Sequence, residues 1–156
     1  QAKTWHPEKG FIQHTFEYSS DVMQTAQKFR FNEGTVKIKM RCTGKLHHAF
    51  WLGSDAKLPH INIFHFDGKH IRMENITQND VESIIIKGIK PTDFYVYSLK
   101  WTATELVWSV NNVDVFRSTT DIPKESMYLA LNSFIPQKSN GSEGMIEVDW
   151  IRIYQS

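Results

Sequence analysis

Cysteine is almost missing: Cys42 is the only one in 156 residues. A single thiol excludes an internal disulfide framework and any cysteine-based metal spacing, and it reads as a small buried apolar residue. No apolar run approaches the roughly 20 residues that span a bilayer as a helix. Charge of one sign is also lacking. The formal net charge is +1, and no stripe of Lys and Arg offers itself to a phosphate backbone, so nucleic acid is set aside as a partner. A sustained 3.6-residue period is absent too; even Asp21 to Arg30 has neither the spacing nor the caps of a helix and reads as loop with short strand pieces. The chain starts at Gln1 with no initiator Met, so a signal peptide or a longer preceding segment is expected to have been removed.

What is present is alternation. Thr35 to Met40 places Val36, Ile38 and Met40 on one face and Lys37 and Lys39 on the other, the grammar of a half-buried strand. His47, Ala49 and Trp51 share a face of the next strand. Shorter strands are expected at His70 to Met73 and Ser83 to Ile86, joined by a polar segment over Asn75 to Asp80. Tyr95 to Trp101 alternates again. Leu106 to Val110 and Val113 to Arg117 flank Asn111 and Asn112, and asparagine tolerates the positive φ of a tight two-residue hairpin turn. Met127 to Ser133 and Met145 to Tyr154 complete the set. Short strands with turn signals between them indicate an all-β sandwich or barrel. At this length a single domain is expected, over residues 1 to 156.

The most informative stretch is His60-Ile61-Asn62-Ile63-Phe64-His65-Phe66. Apolar residues alternate with His60, Asn62 and Phe64 before the register slips and His65 follows. Two imidazoles and an amide on a core strand are costly to bury unless they face a cleft or find partners.

This strand resembles the active-site strand of glycoside hydrolase family 16, which reads Glu-Ile-Asp-Ile-Xaa-Glu or a form one residue shorter. Other stretches carry the same resemblance. Glu33 to Arg41 is similar to Tyr-Gly-Xaa-Phe-Glu-Ala-Arg-Ile-Lys, and His47 to Leu52 to Trp-Pro-Ala-Phe-Trp. Tyr95 to Arg117 resembles Tyr-Ser-Leu-Glu-Trp-Thr followed by Trp-Tyr-Val-Asp-Gly-Val. Met127 to Asn132 is similar to Met-Tyr-Leu-Ile-Leu-Asn, and Val148 to Tyr154 to Val-Asp-Tyr-Val-Arg-Val-Tyr. The resemblance is strongest over residues 33 to 155. It implies a concanavalin A-like jelly-roll β-sandwich, shortened at the N-terminus or cut from a longer chain.

It also implies a cleft whose chemistry has changed. The family's nucleophile, tuning Asp and acid/base fall on His60, Asn62 and His65. Retaining glycosidases need two carboxyl groups about 5 to 5.5 Å apart, and all three acids are absent here. The expectation is a catalytically degenerate domain that binds poly- or oligosaccharide through His47, Trp51, His60, Asn62, His65, Asn132 and Phe134. Trp51 is the stacking platform, and Asn132 and Phe134 stand where related enzymes place an Asn and a Trp. Leu58 replaces another aromatic platform.

Bland readings stand beside these. Trp51 and Phe134 are equally readable as core packing, and His60 and His65 as structural histidines, a metal pair or a replacement acid and base. Asp67 and Glu74 are the nearest displaced acids, Asp67 reading rather as a turn residue before Gly68. The alternatives to glycan capture are an active endo-acting glycoside hydrolase with rearranged acids, and a structural or partner-binding domain. No cofactor is expected beyond calcium, which the resemblance places at Asp149. It also implies a secreted, periplasmic or cell-surface location. Asn75-Ile76-Thr77 and Asn140-Gly141-Ser142 fit the glycosylation acceptor pattern.

Overall fold

The computed structural model describes residues 2–6, 10–14, 21–26, 28–134 and 144–155. Their strands are β1 (Ala2–His6), β2 (Gly10–His14), β3 (Asp21–Gln24), β4 (Gly34–Gly44), β5 (His47–Gly53), β6 (His60–Phe66), β7 (Ile71–Ile76), β8 (Val81–Ile86), β9 (Tyr95–Trp101), β10 (Leu106–Val110), β11 (Val113–Ser118), β12 (Tyr128–Phe134) and β13 (Gly144–Gln155). Among the described residues no helix is long and apolar enough to cross a membrane. Asn140 lies outside the described residues.

Two antiparallel sheets form the sandwich, one with the order β11-β10-β9-β4-β13 and the other β3-β12-β5-β6-β7-β8, and β1 and β2 pair as a separate hairpin. This is the all-β sandwich expected of the alternating patterns, and the jelly roll that the family resemblance implies. Val36, Ile38, Met40, Leu99, Trp101, Leu106 and Trp108 project inward from the first sheet against Phe50, Leu52, Ile61, Ile63, Phe64 and Met73 of the second. Between the sheets, on the side of β3 and β13, the core opens into a cavity of about 560 Å³ lined by Met23, Phe50, Leu129, Leu131, Ile151 and Ile153.

The β10–β11 connection is the tight turn that the asparagine pair demands. Asn111 and Asn112 have φ of 49° and 65°, and Asn111 Oδ1 accepts from the Val96 amide at 2.8 Å. An amide side chain thereby holds the turn against the neighbouring strand as well as tolerating its backbone.

Strand β7 runs further than its alternation suggests. Residues 75 and 76 belong to it, so the segment read as a polar connection from Asn75 begins two residues later. Asn75 is 2% exposed, with Nδ2 directed at Ser118 Oγ and at the carbonyls of Thr120 and Asp121 (3.4 to 3.5 Å). A side chain used in this way is closed to a glycan in the folded protein, which corrects the glycosylation expectation at Asn75.

One inward residue of β5 is polar. His48 is fully buried; its Nε2 faces the Thr43 carbonyl (3.4 Å) and its Nδ1 lies 2.7 Å from Ser133 Oγ. A carbonyl only accepts, so Nε2 carries the proton and the serine hydroxyl donates to Nδ1. Burial lowers the His48 pKa to about 4. The folded state therefore favours the neutral ring while the unfolded chain protonates near 6.5, so stability falls as pH drops through the interval between them. By the usual 1.36 kcal/mol per pKa unit, the full loss is roughly 3 kcal/mol. Denaturant unfolding at pH 7 and pH 4.5, with the His48 imidazole followed by NMR, is expected to show most of this loss; a flat profile would refute it.

Candidate functional site

Strand β6 carries its polar residues on one face because it contains a bulge. Asn62 pairs with Glu74 and His65 with Arg72 on β7, so three steps on β6 match two on β7. On the other side Asn62 pairs with Trp51 and Phe64 with Phe50, which makes Ile63 the extra residue. Both Ile63 and Phe64 enter the core, Phe64 lying 4.7 Å, centroid to centroid, from the Tyr97 ring of the opposite sheet. His60, Asn62 and His65 remain together on the outer face of the sheet. The slip legible in the sequence is thus a β-bulge, the device by which a strand re-aims a side chain. From across the core, Trp108 Nε1 donates to the backbone carbonyl of Asn62 at 3.0 Å.

Register across the neighbouring strands assembles the rest. His60 is level with Gly53 and Tyr128, Asn62 with Trp51 and Ala130, His65 with Ala49 and Asn132, and His47 pairs with Phe134. All seven residues expected to line the cleft therefore share one surface, and Trp51, Asn132, Phe134, His47, His60 and His65 are half-buried there. Trp51 and Phe134 are not core residues.

The Trp51 indole is pinned. Its Nε1 donates to Asn132 Oδ1 at 2.8 Å, the His60 ring stacks at 4.5 Å and 25°, and Tyr128 approaches edge-on at 5.7 Å. Gly53 makes this possible: a Cβ there would stand 2.4 Å from Trp51 Cζ3 and 2.9 Å from the Tyr128 ring. At the other end His47 and Phe134 lie 4.8 Å apart, and His47 and His65 5.7 Å apart, between ring centroids.

The residue that sequence reasoning undervalued is Glu74. It stands on β7 opposite Asn62, where its Oε1 accepts from Asn62 Nδ2 at 3.1 Å and faces His65 Nδ1 at 3.4 Å. His60 Nε2 in turn lies 2.8 Å from Asn62 Oδ1. The hydrogen bonds from His65 and Asn62, together with one from Ser83, hold the Glu74 carboxyl below the usual carboxylate range despite its burial. Burial lowers the pKa of His60, and burial with the neighbouring His65 lowers that of His47. The one signal that points to Glu74 is alternation with Arg72 at the end of the β7 pattern; only the pairing of β7 with β6 reveals what it faces.

Asp67, the other displaced acid, is a turn residue as expected. Its Oδ1 accepts from the amides of Lys69 (3.0 Å) and His70 (2.6 Å), and its Oδ2 from Arg72 Nε at 3.2 Å. It does not join Glu74. Asp149 is half-exposed at a bulge of β13 and pairs with Lys39 Nζ at 3.3 Å. Among the described residues no three His, Cys, Asp or Glu side chains cluster as metal ligands.

The two antiparallel sheets form a jelly-roll sandwich of the concanavalin A-like class. Within it, the model for glycosyl hydrolases family 16 matches residues 4–152, and the chain belongs to that family. No curated protein matches it in sequence. Among solved structures it is similar to the laminarinase catalytic domain from Thermotoga maritima MSB8, with a TM-score of 0.72 at 17% identity, covering 86% of this chain and 68% of that one. It is similar to the endo-β-1,3-glucanase from Pyrococcus furiosus, with a TM-score of 0.70 at 19% identity over 98% and 71% of the two chains. SCLam, a non-specific endo-β-1,3(4)-glucanase, superposes with a TM-score of 0.75 at 21% identity over 86% of this chain and 62% of its own.

Proposed function

We propose that this family 16 domain captures a polysaccharide or oligosaccharide in the cleft face of its six-stranded sheet without hydrolysing it. The observation that carries this reading is the substitution of the acid triplet by His60, Asn62 and His65 on a face that keeps a pinned aromatic platform. Retaining hydrolysis needs one carboxylate to attack the anomeric carbon and a second acid to protonate the leaving oxygen. Glu74 is the carboxylate at these strand positions, and its described partners hold it as an acceptor. Trp51, Asn132, His47 and Phe134 supply a flat ring and polar atoms of the kinds that sugars use. The glucanase activities of the similar solved structures make β-1,3-glucan the first ligand to try. Family membership supports a secreted, periplasmic or cell-surface setting.

The presence of Glu74 beside His65 favours one competing reading, an endo-acting hydrolase with rearranged acids. Affinity gels containing β-1,3-glucan, with reducing ends assayed on the same samples, separate the two. Retardation without product is expected, and Trp51→Ala is expected to weaken it roughly tenfold, the equivalent of about 1.4 kcal/mol. Product that disappears in Glu74→Gln would establish the hydrolase instead.

A further inference from the structure

We propose that Glu74 fixes the imidazole tautomers of His60 and His65, so that the cleft meets its ligand with nitrogen lone pairs and selects neutral, hydroxyl-donating saccharides over anionic ones. The inference rests on the capture reading and specifies what the site takes.

The argument starts from the carboxylate, which accepts hydrogen bonds and cannot donate them. Glu74 Oε1 is 3.1 Å from the Asn62 side chain, so the amide must turn its Nδ2 toward Glu74 and its Oδ1 away. That oxygen then faces His60 Nε2 at 2.8 Å, and His60 must carry its proton on Nε2. In neutral His60 the lone pair is therefore on Nδ1. His65 presents Nδ1 to the same carboxylate oxygen at 3.4 Å; with the proton there, the neutral ring leaves its lone pair on Nε2. One anion thus orients three side chains, as a carboxylate behind a histidine orients the ring for whatever the other nitrogen binds.

A second observation points to a ligand. Among the described residues His65 Nε2 is buried without a hydrogen-bond partner, and so is His47 Nδ1, on rings 5.7 Å apart beside Phe134. Buried polar atoms are almost always satisfied, and His65 Nε2, a bare lone pair once Nδ1 carries the proton, has no donor among the described residues. Sugar hydroxyls donate. Carboxylates and sulfate esters only accept, and here they would meet the His65 lone pair and the ionised Glu74. Arg72, the cation paired in register with His65, is engaged by Asp67 at 3.2 Å.

The test reads tautomers and binding separately. Long-range proton–nitrogen NMR correlations on labelled protein at pH 7 are expected to show His65 protonated on Nδ1 and His60 on Nε2. Glu74→Ala, which removes the acceptor shared by Asn62 and His65, is expected to release His65 to the Nε2-protonated tautomer. In titrations, a β-1,3-linked gluco-oligosaccharide is expected to bind at least about tenfold more tightly than an oligogalacturonide of equal length, a preference that shrinks severalfold in the variant. A proton on His65 Nε2 in the wild type, or unchanged tautomers in the variant, would overturn the inference even if glucan binds, leaving capture intact. Equal affinity for the two saccharides would overturn the selectivity. Tautomers as stated with neither saccharide bound would refute the ligand assignment together with the capture function.

Discussion

Trp108→Ala is expected to cost about 3 to 5 kcal/mol, the range for deleting a buried aromatic side chain, and to unfold the domain outright if its stability is at the low end of the usual range of about 5 to 15 kcal/mol. Two terms contribute. Trp108 is fully buried and packs on the Phe116 ring at 4.8 Å, so its removal leaves a cavity between the sheets. It also donates to the Asn62 carbonyl at a point where the bulge has disturbed the ladder. Trp108→Phe separates the terms: most of the volume stays while the carbonyl loses its donor, a loss of about 1 to 3 kcal/mol. Urea unfolding of the two variants checks this. If Trp108→Phe matches the wild type, the hydrogen bond contributes nothing and packing alone explains the residue.

The second large effect is expected in the cleft, from a single methyl group. Gly53→Ala would place a carbon 2.4 Å from Trp51 Cζ3, with Tyr128 at 2.9 Å on the other side. A free surface side chain would swing aside cheaply, but this indole is tied to Asn132 and stacked on His60. Relief means breaking those contacts or displacing Tyr128, at about 1 to 3 kcal/mol, the usual range for overpacking. The platform is lost with them, so glucan retention is expected to fall by at least as much as in Trp51→Ala while the far-ultraviolet spectrum keeps its β-sheet form. Unchanged retention would show that Trp51 does not carry the sugar.

The alternating strands were legible because one face of each is wet and the other dry, and period two records that difference directly. Val36, Ile38 and Met40 point inward as their spacing requires. The Asn111–Asn112 turn was legible because few residues accept its backbone, and the slip on β6 because apolar residues at Ile63 and Phe64 break a plain alternation. Glu74 and Asn75 were not legible. What each does depends on a partner far along the chain, Asn62 for one and Ser118 with its loop for the other, and local sequence carries no record of register between strands. Asn75 shows the cost: its neighbours spell a modification signal, yet its position in the sheet turns it inward.

The extra residue on β6 bears on how this strand tolerates changes of length. Removing Ile63 would restore plain alternation, with His60, Asn62 and His65 still on the same side. A deletion at this point is therefore silent in the facing of these residues, although a one-residue change elsewhere in a strand inverts every side chain beyond it. What it alters is the number of core side chains; Asn62 and His65 would still stand opposite Glu74 and Arg72, two residues apart on β7. Loss of Ile63 would therefore change the packing beneath these three residues while leaving their outward layout in place, so the bulge is a device of the core rather than of the exposed face.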